Sequence, residues 1–170
     1  MQETAPLILT LAFDEPSFAI FEQQRRRYFP PQLNVVPAHL TLFHHLPGEQ
    51  LSSIQQTIEA ACSDRWSFDL DVTGLRSLGR GVAYVLKSPE LSEMRKRLAL
   101  HWNDWLTPQD RQNHNPHVTV QNKVNPTQAR ALLEDLTESF RPFQVAGIGL
   151  DLWRYRQGPW EKVRSFLFQR

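Results

Sequence analysis

A short alternating stretch occurs twice in this 170-residue chain, as Ala38-His39-Leu40-Thr41-Leu42 and as Pro116-His117-Val118-Thr119-Val120, with 78 positions between the two histidines. In an extended strand, residues two apart point to the same side. Each stretch therefore turns an apolar face one way and sets an imidazole beside a hydroxyl on the other. The order of elements after each copy repeats as well: a proline-containing turn, an amphipathic helix, an aromatic-led strand at Phe68 or Phe143, a glycine turn and a further strand. A single repeat of this kind argues for a pseudo-twofold pair of lobes and against a solenoid. Two His/Thr faces related that way can meet across one cleft.

The rest of the chain supplies elements to fit. Leu7–Phe13 reads as a strand, and Asp14-Glu15-Pro16 opens a helix carrying Phe18, Phe21 and Tyr28 that Pro30-Pro31 ends. Leu51, Ile54, Ile58 and Ala61 fall at helical spacing. Phe68, Leu70 and Val72 alternate with polar residues as in a half-buried strand, and Val82–Leu86 forms the next one. Ser88-Pro89-Glu90 starts a helix with Leu91, Met94, Leu98, Trp102 and Trp105 along one face, and Gln109–Asn115 reads as a polar loop. Asn125-Pro126-Thr127 starts another helix, faced by Leu132, Leu133, Leu136 and Phe140. Strands near 143–153 and 160–168 flank the turn Gln157-Gly158-Pro159. Helices alternate with strands, but hairpin-like strand pairs favour mixed or antiparallel sheets over a doubly wound parallel one. The expectation is an α+β chain in which residues 1–170 form one domain of two similar lobes, with motifs at 39–42 and 117–120.

Composition narrows the partners. A net charge of +1 offers no broad basic field for duplex nucleic acid. Arg25–Arg27 complement a helix end better than they suit a nucleic acid, and Arg154, Arg156 and Lys162 form a second local cluster. The single cysteine, Cys62, forbids an intrachain disulfide and reads as a small buried hydrophobe. No run of 18 apolar residues occurs, so no membrane-spanning helix is expected, and Met1–Pro6 lacks the pattern of a signal peptide. A cytoplasmic monomer without a membrane partner is the expectation.

The paired His/Thr faces suit phosphoryl chemistry. An unperturbed imidazole titrates near 6.5, so one ring can accept a proton while its partner donates one near neutral pH. The threonine hydroxyls are stiff donors for non-bridging oxygens, where charge builds in the transition state. Two hydroxyls and an imidazolium make a metal unnecessary, and His114 with His117 lacks a cysteine or carboxylate at ligand spacing, so neither metal nor cofactor is expected. Either histidine alone is better explained as a hydrogen-bonded strand residue. Their matched positions in two half-patterns point to catalysis. His44 and His45 follow the first motif as further contacts or as a loop edge, and Tyr155, Trp153 and Trp160 cluster near the last turn, in reach of a base or of the core.

His39-Leu40-Thr41-Leu42 and His117-Val118-Thr119-Val120 resemble the paired His-x-Thr/Ser-hydrophobic motifs of the 2H (two-histidine) phosphoesterase superfamily. The context Pro37–Phe43 is similar to its bacterial 2′-5′ RNA ligase-like branch. The resemblance runs from the first strand to the last. It implies a bilobal α+β fold with a central cleft between two sheets, outer helices, and metal-independent phosphodiesterase activity. The implied substrate is a nucleotide or RNA terminus with a 2′,3′-cyclic phosphate or a 2′-5′ linkage. By that resemblance His39 is the general acid, His117 the general base, and Thr41 and Thr119 hold the phosphate. Several relatives carry an arginine after the second motif; here Val120-Gln121-Asn122-Lys123 offers only Lys123, a point charge and not a bidentate fork. Lys123, His44 and Tyr155 are the further substrate-contact candidates. A non-catalytic nucleotide or RNA-end binding module is the competing reading.

Overall fold

The computed structural model describes residues 4–169; the reading of the N-terminus at residues 1–3 lies outside them. Among the described residues the strands run β1 (Leu7–Phe13), β2 (Thr41–Leu46), β3 (Phe68–Ser77), β4 (Val82–Lys87), β5 (His117–Gln121), β6 (Phe143–Arg154) and β7 (Glu161–Leu167). The helices are α1 (Glu15–Tyr28), α2 (Leu51–Ser63), α3 (Pro89–His101), the short α4 (Pro108–Arg111) and α5 (Pro126–Ser139). Caps expected from the sequence are made: Asp14, Ser88 and Asn125 each accept a backbone N–H in the first turn, and each is followed by a proline inside that turn.

All named strands pair antiparallel, in the order β2-β1-β6-β3-β4-β5 with β7 also on β6. Gly147 of β6 pairs with Phe13 of β1 and with Phe68 of β3, so β1 and β3 lie on its opposite edges. Residues 149–154 of β6 face β1 on one side and β7 on the other. The two halves expected as separate sheets are thus welded by one long strand into a single curled sheet. Leu7, Leu9, Leu11, Leu42, Leu70, Leu86, Val118 and Val120 bury one face of it under the helices. Phe21 of α1 packs there on Phe13, Tyr84 and Phe143, with ring centroids 5.4–6.3 Å apart. Cys62 lies in this core, and burial pushes its thiol up to about 12, so it behaves as a hydrophobe.

Two local expectations shift. The first motif strand begins at Thr41, so His39 precedes it, and two register irregularities lie between Thr41 and Leu46. Strict alternation would put Thr41 and Phe43 on one side. The irregular pairing instead buries Phe43 in the core and turns His44 outward. Second, α3 stops at His101, with Trp102 as its C-cap and Trp105 in the 3₁₀ turn that follows. Trp102 is still core, edge-on to Phe43 at 5.1 Å.

Buried arginines cross between the halves. Arg25 of α1, which follows β1, sends Nη1 to the Thr119 carbonyl of β5 at 2.9 Å and Nε to Asn34 and Val36. Arg95 of α3, which follows β4, sends Nε to the Leu42 carbonyl of β2 at 2.9 Å and Nη2 to the Asp110 carbonyl at 2.7 Å. Of the three consecutive arginines read as helix-end cations, Arg25 is therefore a buried clamp, while Arg26 stays outside beside Glu22.

Candidate active site

His39 and His117 are held the same way. Each ring meets through Nδ1, at 2.8 Å, the carbonyl of the residue two positions earlier, Pro37 or Asn115. A carbonyl only accepts, so Nδ1 carries the proton and Nε2 is the free, basic nitrogen of each neutral ring. Both histidines, Thr41, Thr119, His44, Ile8 and Trp160 line one cavity of about 200 Å³. That volume fits a phosphate and its immediate oxygens; pockets for drug-sized ligands run about 300–1,000 Å³. Among the described residues neither threonine hydroxyl takes an internal hydrogen bond, which leaves both available to a ligand. The apolar neighbours Ala38, Leu40, Val118 and Val120 are buried on the other side, as alternation requires.

The electrostatics depart from the unperturbed picture. Burial lowers His39 to about 4, with the charge of Arg25 and the nearby His117 and His44 pushing the same way against the Pro37 carbonyl. Burial also lowers His117, helped by Arg76 and His44. Arg76 of β3, Ala83 of β4 and Thr119 of β5 are successive cross-strand partners, so Arg76 shares the cavity-side face with Thr119. Without a ligand both imidazoles are thus neutral at pH 7. An anion in the cavity would raise both values and favour a proton on one ring.

The third histidine has its own anchor. His44 offers its backbone N–H to Asp110 at 2.9 and 3.0 Å and its ring Nδ1 to the same carboxylate at 3.0 Å, and the His45 N–H adds another contact at 3.0 Å. Asp110 is 1% exposed; burial alone would raise its pKa, but these hydrogen bonds outweigh it and hold the carboxyl below its usual value. His114 donates from Nε2 to the Thr41 carbonyl at 2.8 Å and, being buried, sits at about 4.

Of the candidates from sequence, His39, Thr41, His44, His117 and Thr119 come together. Lys123 and Tyr155 do not line the cavity. Lys123 is exposed at the tip of a turn with φ 64°, and Tyr155 is exposed past the end of β6. Trp160 takes the aromatic place instead, its ring centroid 4.6 Å from that of His39 and 6.0 Å from Trp153. Asp110 was hidden in a stretch read as polar loop; Thr107-Pro108-Gln109-Asp110 carries a cap-plus-proline signal, and Thr107 does cap α4. Among the described residues no group of three or more His, Cys, Asp or Glu could hold a metal ion, and no helix is long and apolar enough to cross a membrane.

Fold and site together give a curled α+β sheet whose two His-x-Thr stretches line one cavity. A model of the 2′-5′ RNA ligase superfamily matches residues 13–159, and the chain belongs to that superfamily, one of phosphoesterase and 2′-5′ RNA ligase-like enzymes. The fold is shared with TT0787 of Thermus thermophilus, at TM-score 0.67 and 15% identity over 96% of this chain and 97% of that one. It is shared too with LigT of E. coli solved with 3′-AMP, at TM-score 0.64 and 16% identity over 99% and 100%. A crystal structure described as a phosphoesterase matches at TM-score 0.62 and 14% identity over 99% and 100%. No curated protein sequence gives a significant match.

Proposed function

We propose that the protein is a metal-independent phosphodiesterase acting on a 2′,3′-cyclic phosphate or a 2′-5′ linkage at a nucleotide or RNA end. One observation carries the reading: two identically tethered imidazoles, each beside an unpartnered threonine hydroxyl, line the same phosphate-sized cavity. Following the family resemblance, His117 takes a proton from the attacking oxygen and His39 gives one to the leaving oxygen. The two exchange roles in the reverse, ligating direction. Thr41 and Thr119 donate to the non-bridging oxygens, and His44, held by Asp110 through Nδ1, offers its other ring nitrogen to the same cavity. Crystals of LigT from E. coli with 3′-AMP, with NADP+ and with ATP support a nucleotide as ligand. The same reading has the protein working as a monomer in the cytoplasm.

The test is a screen of 2′,3′-cyclic nucleotides and 2′-5′ dinucleotides with product position identified, run with and without chelator. Turnover that survives chelator and is lost in both His39→Ala and His117→Ala supports the reading. Nucleotide binding without turnover of any of these substrates would assign the protein to the binding modules instead.

A further inference from the structure

Two more cavities lie beside the carbonyls that tether the two rings, in matching places in the two halves. On the His39 side a cavity of about 420 Å³ is bounded by Pro37 and Ala38, by Thr10 and Ala12 of β1, and by Phe18 of α1, the helix that follows β1. On the His117 side a cavity of about 900 Å³ is bounded by Asn115 and Pro116, by Val85 and Lys87 of β4, and by α3, the helix that follows β4. Pro37 and Asn115 are the two carbonyls that hold the catalytic rings. β4 pairs with β5 as β1 pairs with β2, and Val85 lies directly opposite His117. His39 itself lines the first cavity, and the second is lined by Pro116 and Val85, the chain neighbour and the cross-strand partner of His117.

In-line displacement at phosphorus places the attacking and leaving oxygens on opposite sides. A hydroxyl of one arm loses its proton to one imidazole as its oxygen bonds phosphorus. The bond to the other arm's oxygen breaks, and that oxygen takes a proton from the second imidazole. A diester with an organic arm on each side would therefore send one arm past each histidine.

The two cavities differ in chemistry. The His39-side cavity is aromatic, with Phe18 and Trp153, and its lysine is already paired, Lys162 with Asp151 at 3.7 Å. The walls of the His117-side cavity are largely apolar, include no Asp or Glu, and hold Lys87, Arg95, Lys96 and Arg111. Both arginines spend their donors on carbonyls and on Asn103. The side-chain ammonium groups of Lys87, opposite Asp71 in the sheet, and of Lys96 make no hydrogen bond or ion pair among the described residues. We infer that this cavity is a subsite for a nucleoside arm carrying a further phosphate, with the sugar and base against the apolar wall and the phosphate held by Lys87 and Lys96. The preferred substrate is then an oligonucleotide with at least one phosphate beyond the scissile one. The inference rests on the function proposed above and narrows its substrate class.

The test compares a 2′-5′ dinucleotide with the same dinucleotide extended by phosphorylated nucleotides, on wild type and on Lys87→Glu/Lys96→Glu, over a range of salt. Wild type should favour the extended substrate in kcat/KM by about tenfold or more, with the advantage falling steeply as salt rises. In the double variant the ratio of the two kcat/KM values should collapse towards one. A wild type without preference, or a variant that keeps it, overturns the subsite. If His39→Ala turns over both substrates as wild type does, the catalytic reading fails instead. Fluorescence anisotropy of the extended oligonucleotide on wild type and on the double variant then decides the subsite without reference to turnover: equal affinity overturns it, and a loss of about tenfold supports it.

Discussion

Asp110 and His44, 66 positions apart, are joined through both the backbone N–H and the ring of the histidine, so a carboxylate buried beneath the first motif strand fixes which nitrogen His44 presents to the cavity. Asp110→Asn removes that charge and puts an amide donor among N–H groups. It should cost about 1–3 kcal/mol of stability, read as a lower Tm. If His44 meets the phosphate, KM should also rise by roughly tenfold (about 1.4 kcal/mol) with a smaller change in kcat. An unchanged KM would reduce Asp110 to a structural role.

His39→Ala and His117→Ala should each lower kcat by roughly 10²–10⁴-fold with the fold intact by circular dichroism. Thr41→Val and Thr119→Val should each cost kcat up to about 10²–10³-fold. Because these groups act on one phosphate, the His39→Ala/His117→Ala double variant should be little worse than either single one.

Stability should fall on the acid side through a defined window. His39 and His114 sit at about 4 in the folded protein against an unperturbed value near 6.5. Between those values the unfolded chain binds protons that the folded one refuses, so their contribution is fully present above about 6.5 and lost as the pH falls through 4. Thermal unfolding from pH 7 to pH 4 should show this drop, and His39→Ala should make it shallower. Inorganic phosphate, which stabilises the protonated ring, should protect more strongly at pH 5.5 than at pH 7.5.

Trp160 faces the ring of His39 and the cavity. Its replacement by Ala should raise KM for nucleotide substrates by about 5- to 100-fold if a base stacks there, corresponding to about 1–3 kcal/mol. Trp160→Phe should recover part of that loss. Nucleotide titration should quench tryptophan fluorescence in wild type more than in Trp160→Phe.

Much of this was legible in the chain because period and capping are local. The order of strands and helices, the burial of Val118 and Val120, and the convergence of His39, Thr41, His117 and Thr119 follow from alternation and from one repeat. The features that were not legible depended on pairing partners far away. The irregular register of β2 against β1 decides that His44 and not Phe43 turns outward, and no pattern within residues 41–46 announces it. Asp110 acts through residues 66 positions earlier, and Arg76 reaches the site only through its row with Ala83 and Thr119. Lys123 was placed near the site by its nearness in sequence to the second motif, but the chain turns away after Gln121.

The crossed arginines give the molecule a property that neither half has alone. Arg25 of α1 grips the backbone at Thr119, and Arg95 of α3 grips it at Leu42. Each motif strand is therefore held by a guanidinium from a helix that precedes the other motif in the chain, on top of the weld through β6. Loss of Arg25 would free α1 from β5, the motif strand it packs on, and loss of Arg95 would free α3 from the backbone of the other. The backbone on which each motif threonine or its neighbour sits is thus held by a buried cation as well as by its sheet partners.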